Sequence, residues 1–198
     1  MRFLCAGAAA VLLLASSVGF AQQAGTCMDP FYAPLQPGAT LIIHARSSGL
    51  HVTASDRKEI VVRCTMKEHD FADEVHLEFS GSPGSGKLKI YGGPSGELEL
   101  HIEVPRETGL KIELPAGQIT VDQVQGDKEI ELDAGQIVVS GVSETEYHSI
   151  EASVDIGHVG ASPFGVDRGG FFRSFRKDNP GGRYHLRAHL LTGEIVLN

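Results

Sequence analysis

The sequence predicts an all-β protein, a single β-solenoid domain built from short stacked strands. Three observations predict it: apolar and polar side chains alternate along most of the chain, glycines interrupt the alternation, and one decapeptide recurs. Alternation with a period of two is typical of strands, because successive side chains point to opposite faces of a sheet. The chain has 198 residues, 41% of them hydrophobic, which is enough to bury one sizeable core.

The first 21 residues have the pattern of a secretory signal peptide. Arg2 supplies a positive start, an apolar run follows from Ala6 to Leu14, and Gly-Phe-Ala at 19–21 places small residues before the expected cleavage. The apolar run is shorter than a membrane span requires. We therefore expect an exported protein, periplasmic, associated with the outer envelope or secreted, whose mature chain has no transmembrane span.

Two cysteines remain once the leader is removed, Cys27 and Cys64. In a compartment that permits disulfides, an even pair favours a bridge. Closing this loop would stabilise the fold by roughly 3–4 kcal/mol on the chain-entropy model. The alternative is two free thiols that lie too far apart to join.

The mature chain divides into an N-terminal segment and a repeat domain. Residues 22–38 hold several prolines and no periodicity, which predicts an extended segment. Residues 39–198 are predicted to form the β-repeat domain. Its clearest strand is at 98–104, where four aliphatic side chains share one face and acids and a histidine share the other.

A recurring decapeptide indicates that the strands are stacked. IELPAGQITV at 112–121 is followed by IELDAGQIVV at 130–139 and IEASVDIGHV at 150–159. A fourth copy, LRAHLLTGEIVL, occupies 186–197, and a looser copy, LIIHARSSGLHV, occupies 41–52. A glycine permits a positive φ or a bulge, so the chain turns while the next apolar residue still faces inward. Such repeats bury their apolar side by stacking, each coil beside the next, although a two-sheet β-sandwich is an alternative.

These motifs together resemble a known family. Gly-Ala-x-Leu-x-Ile at 38–43, Ile-x-Val-Pro at 102–105, the repeated Ala-Gly-x-Ile-x-Val units and Gly-x-Ile-x-Leu at 193–197 are similar to motifs of bacterial exported proteins. Those proteins are grouped as a putative-adhesin domain family of unknown function. The resemblance covers residues 38–198. It implies a β-solenoid or β-helix-like fold and an envelope or extracellular location, and it carries over no catalytic residue.

Charge and motif content exclude several classes of function. The net charge of −8 argues against nucleic acid as a partner, because phosphate backbones would repel the molecule. No nucleophile–base pair or acid–base constellation is apparent, so we expect neither enzymatic activity nor a cofactor. Two alternatives stay open: a polysaccharide-acting enzyme on a β-helix, and a protein-interaction element in envelope sensing. An exposed row of paired acids and bases at one groove would favour the enzyme.

Three carboxylates hold the same place in successive decapeptides: Glu113, Glu131 and Glu151. In a stack they would form a column that could recruit a cation such as calcium. Two features weaken this hypothesis. The spacing of the copies grows from 18 to 20 residues before Glu151, and Lys111, placed eighteen residues before Glu129, would neutralise part of the face. A solvated acidic face is the favoured interpretation, and no metal site is expected.

A basic aromatic insertion at 164–184 departs from the repeat and is flanked by glycines and a proline. Its candidate binding residues are Phe171, Phe172, Arg173, Phe175, Arg176 and Lys177. Such a surface could dock an envelope protein, a glycan or an anionic surface. The alternative is that the phenylalanines cover one side of the stack while the basic residues meet the protein's own acids. We therefore predict a non-enzymatic binding or structural module of the cell envelope, with an unknown ligand.

Overall fold

The fold is known from a computed structural model, which describes residues 21–46, 48–66, 71–82, 84–93 and 98–198. Almost all of the predicted leader lies outside those residues. The described chain is all-β, as predicted, with thirteen strands in one sheet that is not closed and a turn of 3-10 helix at Ser162–Phe164. None of the helical segments in the described ranges has the length and apolar character that a membrane-spanning helix requires.

The strands follow one another along the chain with short connections. They are β1 Ala21–Thr26, β2 Phe31–Pro34, β3 Thr40–Ala45, β4 Ser48–Ser55, β5 Glu59–Met66, β6 Val75–Ser82, β7 Ser85–Gly92, β8 Leu98–Pro105, β9 Gly109–Asp122, β10 Lys128–Ser140, β11 Tyr147–Ala161, β12 Val166–Asp178 and β13 Tyr184–Leu197.

Four long parallel strands bend at one aligned row of glycines. Gly117, Gly135, Gly193 and Gly157 pair in register across β9, β10, β13 and β11. All four have φ between 131° and 145°, which L side chains rarely adopt. A Cβ at Gly135 would also lie 1.8 Å from the Gly117 carbonyl oxygen. The backbone therefore requires the glycine of the repeat for two reasons, its conformation and its close contact.

The bend changes which residues face inward. In β9 the buried residues are even-numbered before Gly117, such as Ile112 and Leu114, and odd-numbered after it, Ile119 and Val121. In a straight strand these two sets would lie on opposite faces. The bend returns both sets to the same core, which confirms that the glycines turn the chain while apolar residues keep facing inward.

Each bent strand contributes to two arms of the sheet. Before the bend β9 pairs with β3, which leads through β7 and β6 to β1; after the bend it pairs with β4, which leads through β8 and β5 to β2. Buried side chains of both arms belong to one hydrophobic cluster. The looser copy at 41–52 pairs with β9 on both sides of the bend, with Ser48 opposite Gly117.

The layers do not follow the order of the sequence. β13, the last copy, lies between β10 and β11 and pairs in parallel with both. The copies at 130–139 and 150–159 are therefore not neighbours, and the expectation that each coil pairs with the next is wrong at this point. The reason is a hairpin: after Gly165, which has a left-handed backbone, β12 returns antiparallel along one edge of β11. Only the other edge of β11 is left for β13.

The predicted N-terminal segment, residues 22–38, forms β1 and β2 at one end of the sheet. β1 pairs with β6 and β2 pairs with β5. The predicted disulfide between Cys27 and Cys64 is present, with 5.5 Å between the two Cα atoms. It fastens the connection between β1 and β2 to β5.

Candidate functional site

β12 closes the opposite end of the sheet and carries the predicted binding residues. It pairs with β11 on one side, and the described residues place no strand against its other side. The other strands of the stack alternate between buried and exposed side chains, whereas β12 is exposed at most of its positions. The candidate site is therefore an edge strand whose backbone and side chains are both accessible.

β12 bends at Gly170, which pairs with Gly157 and has a φ of 124°. Two of the predicted residues, Phe171 and Phe172, project into solvent at this bend. Their exposed fractions are 67% and 80%, and Phe171 lies opposite Ile156, which is 49% exposed. Phe172 has a φ of 51°, a left-handed conformation that is a genuine outlier for a bulky residue. Strain of this kind is concentrated at ligand sites and persists only where the surrounding structure holds it. We call Ile156, Phe171 and Phe172 the aromatic ridge.

Phe175 does not belong to the accessible surface. It is buried opposite Ala152, and its ring centroid lies 5.2 Å from that of Phe164. The two rings cover the core at this end of the sheet. Phe175, predicted as a candidate binding residue, instead fits the alternative in which the phenylalanines cover the core, because its position on β12 faces inward.

Arg176 and Lys177 meet carboxylates of the same chain. Arg176 Nη1 lies 2.5 Å from Glu151 Oε1, and its Nε donates to Asp178 Oδ2 at 3.0 Å. This hydrogen bond lowers the pKa of Asp178 and is the first cause of the raised pKa of Arg176. Lys177 Nζ lies 2.8 Å from Glu144 Oε1. Both cations are thus locally compensated, as the alternative interpretation of the insertion anticipated.

Arg168 and Arg173 instead bond to backbone carbonyls across the bend. Arg173 Nε donates to the Gly169 oxygen at 2.8 Å, and Arg168 Nη1 donates to the Ser174 oxygen at 3.0 Å. Residues 168–169 and 173–174 lie on opposite sides of the bend, so each guanidinium reaches from one arm of the sheet to the other. The role of Arg168 had no signal in the sequence beyond its place in a basic stretch.

The carboxylate column is formed by two members and not by three. Glu113 and Glu131 lie in register, but Glu151 is displaced from that row by two residues. It belongs to a row in which charges alternate from strand to strand: Lys111, Glu129, Arg187, Glu151 and Arg176. The change in spacing noted in the sequence is the cause. Within the described part of the chain, no group of three His, Cys, Asp or Glu side chains is placed to hold a metal ion.

The alternating row borders an open groove with a volume of about 470 Å³, whose lining includes Asp127, Lys111, Glu129, His185 and Arg187. Lys111 Nζ is 3.4 Å from Glu129 Oε1, and this carboxylate is the first cause of the raised pKa of Lys111. Opposite charges on neighbouring strands attract. The row therefore stabilises the outer face and also places acids and bases side by side.

A second polar ladder crosses the other arm. Gln136 Nε2 donates to Glu194 Oε2 at 2.7 Å, and His158 Nδ1 lies 3.4 Å from Glu194 Oε1 without forming an aligned hydrogen bond. His158 Nε2 lies 2.5 Å from Asp167 Oδ1 on β12. The bond to Asp167 raises the pKa of His158, and Glu194 adds to the effect. This ladder attaches the first half of β12 to β11 and β13.

Comparison with known proteins adds a likeness of fold. No protein-family model matches the sequence, and no curated protein shows a significant match. Among solved structures, the chain is similar to a putative cell adhesion protein from Clostridium sporogenes, with a TM-score of 0.54 and 14% sequence identity. The alignment covers 85% of this chain and 98% of that chain. At this identity the likeness concerns the fold alone.

Proposed function

We propose that this chain is a non-enzymatic, adhesin-like binding module of the cell envelope that engages its partner through the aromatic ridge. One observation carries the proposal: Phe171 and Phe172 are 67% and 80% exposed on an edge strand, and Phe172 is held at a φ of 51°. An exposed apolar patch beside polar residues is typical of interaction sites. The stack of bent strands would act as a rigid, β-solenoid-like scaffold that presents the ridge at one end.

Export of the chain is part of the proposal. The disulfide between Cys27 and Cys64 is of the kind that persists in oxidising compartments, and the leader-like first 21 residues agree with it. The module would then act in the periplasm, at the outer envelope or outside the cell. The likeness in fold to a putative cell adhesion protein is compatible with this role.

The partner that suits the ridge is an envelope protein or a glycan. Aromatic rings supply large contact areas to apolar protein surfaces and to the faces of sugar rings. An anionic surface is less well supported, because Arg176 and Lys177 already meet Glu151, Asp178 and Glu144. The proposal therefore assigns the contact to ring surface and not to positive charge.

Co-sedimentation with isolated bacterial envelopes tests the proposal. The variant F171S/F172N removes both rings, and Asn tolerates the left-handed backbone at position 172. We expect the wild-type chain to sediment with envelopes and the variant to lose at least about tenfold in retention, since each exposed aromatic hot spot is worth more than 1 kcal/mol. The matched control is Tyr32→Ser, which removes a 47% exposed ring at the opposite end of the sheet. Equal retention of F171S/F172N and wild type would overturn the proposal.

A polysaccharide-acting enzyme is the second candidate, because the alternating row of acids and bases borders an open groove. The same row serves equally to pair charges between strands, as Lys111 and Glu129 do at 3.4 Å. Incubation with uronic-acid polysaccharides, followed by reducing-end and ultraviolet assays, separates the two candidates. We expect no cleavage. Cleavage that disappears in Glu129→Gln or Glu151→Gln would establish the enzyme in place of the binding module.

A further inference from the structure

Two columns of the core end in arginine at β12. The first column holds only buried aliphatic residues until its last member: Leu114, Leu132, Leu190, Val154 and then Arg173. The second does the same on the other side of the bend: Leu50, Ile119, Ile137, Ile195, Val159 and then Arg168. Directly opposite residues of antiparallel strands share one face of the sheet. Both arginines therefore occupy core-facing positions of the last strand.

The two guanidiniums lie across the mouth of the core. Each donates to a carbonyl on the far side of the bend, Arg173 to Gly169 and Arg168 to Ser174. The Arg173 guanidinium also packs on Gly170, where an added Cβ would lie 2.9 Å from its Nη2. A third core-facing position holds Lys177, opposite the buried Ile150. Five positions of β12 pair with buried residues of β11 and therefore face the core: Lys177, Phe175, Arg173, Arg168 and Val166. None of these five residues is an acid.

We propose that Arg168 and Arg173 terminate the stack, because they cover the open end of the core and prevent a second copy of the chain from adding its own β12 edge to edge. An open edge strand of this length is a template for such pairing. Pairing would continue the core across the contact and remove both guanidiniums from water. No carboxylate at a core-facing position of the second β12 would meet them, and burial of unpaired charge is strongly unfavourable.

This inference goes beyond the proposed binding role and does not depend on it. The aromatic ridge lies at the outside of the bend, whereas the arginines face the core. Termination of the stack keeps that end of the molecule single and leaves the ridge accessible. Self-association and envelope binding can therefore be measured separately, and the failure of one proposal leaves the other intact.

The test uses the variant R168V/R173L, which replaces each arginine by an aliphatic residue of the kind found at the other positions of its column. We expect this variant to self-associate through β12, with a dimer dissociation constant at least about a hundredfold below that of wild type, since each buried charge removed is worth more than tenfold. Analytical ultracentrifugation over a concentration series measures the constant. Hydrogen exchange then locates the contact, with new protection expected in Val166–Asp178 and not in β1.

Two controls separate charge at the core from charge in general. Arg187→Leu removes an equally cationic side chain from the outer face of β13 and is expected to leave the chain monomeric. R168K/R173K keeps both charges and is also expected to stay monomeric. If R168V/R173L fails to fold, R173L alone carries the test, with an expected gain of about tenfold. A folded variant that stays monomeric, or a wild-type chain that pairs through β12, would overturn the inference.

Discussion

The two ends of the sheet are closed in different ways. At the N-terminal end the ring of Phe31 lies over Gly25, where a Cβ would come within 2.8 Å of Phe31 Cδ2, and a disulfide joins Cys27 to Cys64. At the C-terminal end, Arg168 and Arg173 cross the mouth of the core with hydrogen bonds to backbone carbonyls. One end is thus closed by an apolar contact and a covalent bond, whereas the other adds, to the rings of Phe164 and Phe175, two cations that solvent can reach.

If the proposed function holds, the difference assigns stability to one end and interaction to the other. A covalent bond between the β1–β2 connection and β5 limits the opening of that edge. The opposite edge carries exposed phenylalanines and titratable contacts, which cost little to rearrange when a partner binds. We therefore expect substitutions near Cys27 to change unfolding, and substitutions in β12 to change association.

The largest effect on stability is expected at the row of glycines, which crosses the bent strands between the two ends of the sheet. Gly135→Ala places a Cβ 1.8 Å from the Gly117 oxygen and adds strain at a φ of 134°. We expect a loss of more than about 4 kcal/mol in the free energy of unfolding, or no folded protein at all. Chemical denaturation measures it. Gly141→Ala is the matched control: its φ is 77°, but the nearest atom lies 3.6 Å away, so only about 1–2 kcal/mol is expected.

The next effect belongs to the N-terminal end. Removing the disulfide in C27A/C64A releases a loop with a sequence separation of 37 residues, which the chain-entropy model values at about 4 kcal/mol. R168K/R173K at the other end should change the unfolding free energy by less than about 1 kcal/mol, because its groups are exposed. Urea unfolding of both variants tests the contrast. Equal losses at the two ends would contradict it.

A third prediction concerns Lys128, a cation that is buried inside the sheet, in contrast to Arg168 and Arg173, which are exposed at its end. Lys128 is buried between Leu110 and Leu186, bonds to Tyr147 and to the Gly126 carbonyl, and has its pKa lowered to about 8 by burial. The folded pKa lies below the unfolded value near 10.4, so the charge destabilises the fold fully below pH 8. That penalty is relieved as the pH rises from about 8 towards 10.4.

The variant Lys128→Leu places at position 128 the same residue as its neighbours Leu110 and Leu186 and removes the cost of burying the charge. Its stability relative to wild type should therefore fall by about 2 kcal/mol between pH 7 and pH 9.5, as the wild-type lysine loses its proton. Denaturant unfolding of both proteins at the two pH values measures this difference. A difference in stability that does not change with pH would show that burial leaves the lysine pKa unaltered.

The sequence predicted the all-β class and the bends of the strands, because alternation and glycine are both local signals. The period of two identified the strands, and the glycines marked the bend. The order of layers could not be predicted, because the hairpin between β11 and β12 sends β13 to the other edge of β11. The shared Ile-Glu pair predicts one alignment of the third copy, whereas the backbone pairs Gly157 with Gly193 and places Ala152 beside Ala188.

The candidate site was predicted only in part, for a related reason. Phe171 and Phe172 were recognised by composition, but the direction of a side chain on β12 depends on its pairing with β11. That pairing places Phe175 opposite the buried Ala152 and Arg173 opposite the buried Val154. Sequence composition cannot distinguish a basic residue that faces solvent from one that covers the end of a core.

The smallest effect on stability is expected at the titratable contact that fastens β12. Asp167 is the first cause of the raised pKa of His158, so Asp167→Asn should bring that pKa down towards 6.5, with Glu194 retaining part of the shift. Because the folded pKa is raised, the stabilisation is present in full below pH 6.5 and is lost as the pH rises through the folded pKa. Imidazole titration by NMR measures the pKa, with Asp178→Asn on the same strand as the control. A His158 pKa that is unchanged in Asp167→Asn would show that this contact does not contribute pH-dependent stability at the C-terminal end. The disulfide at the other end would keep its role, because it does not depend on pH.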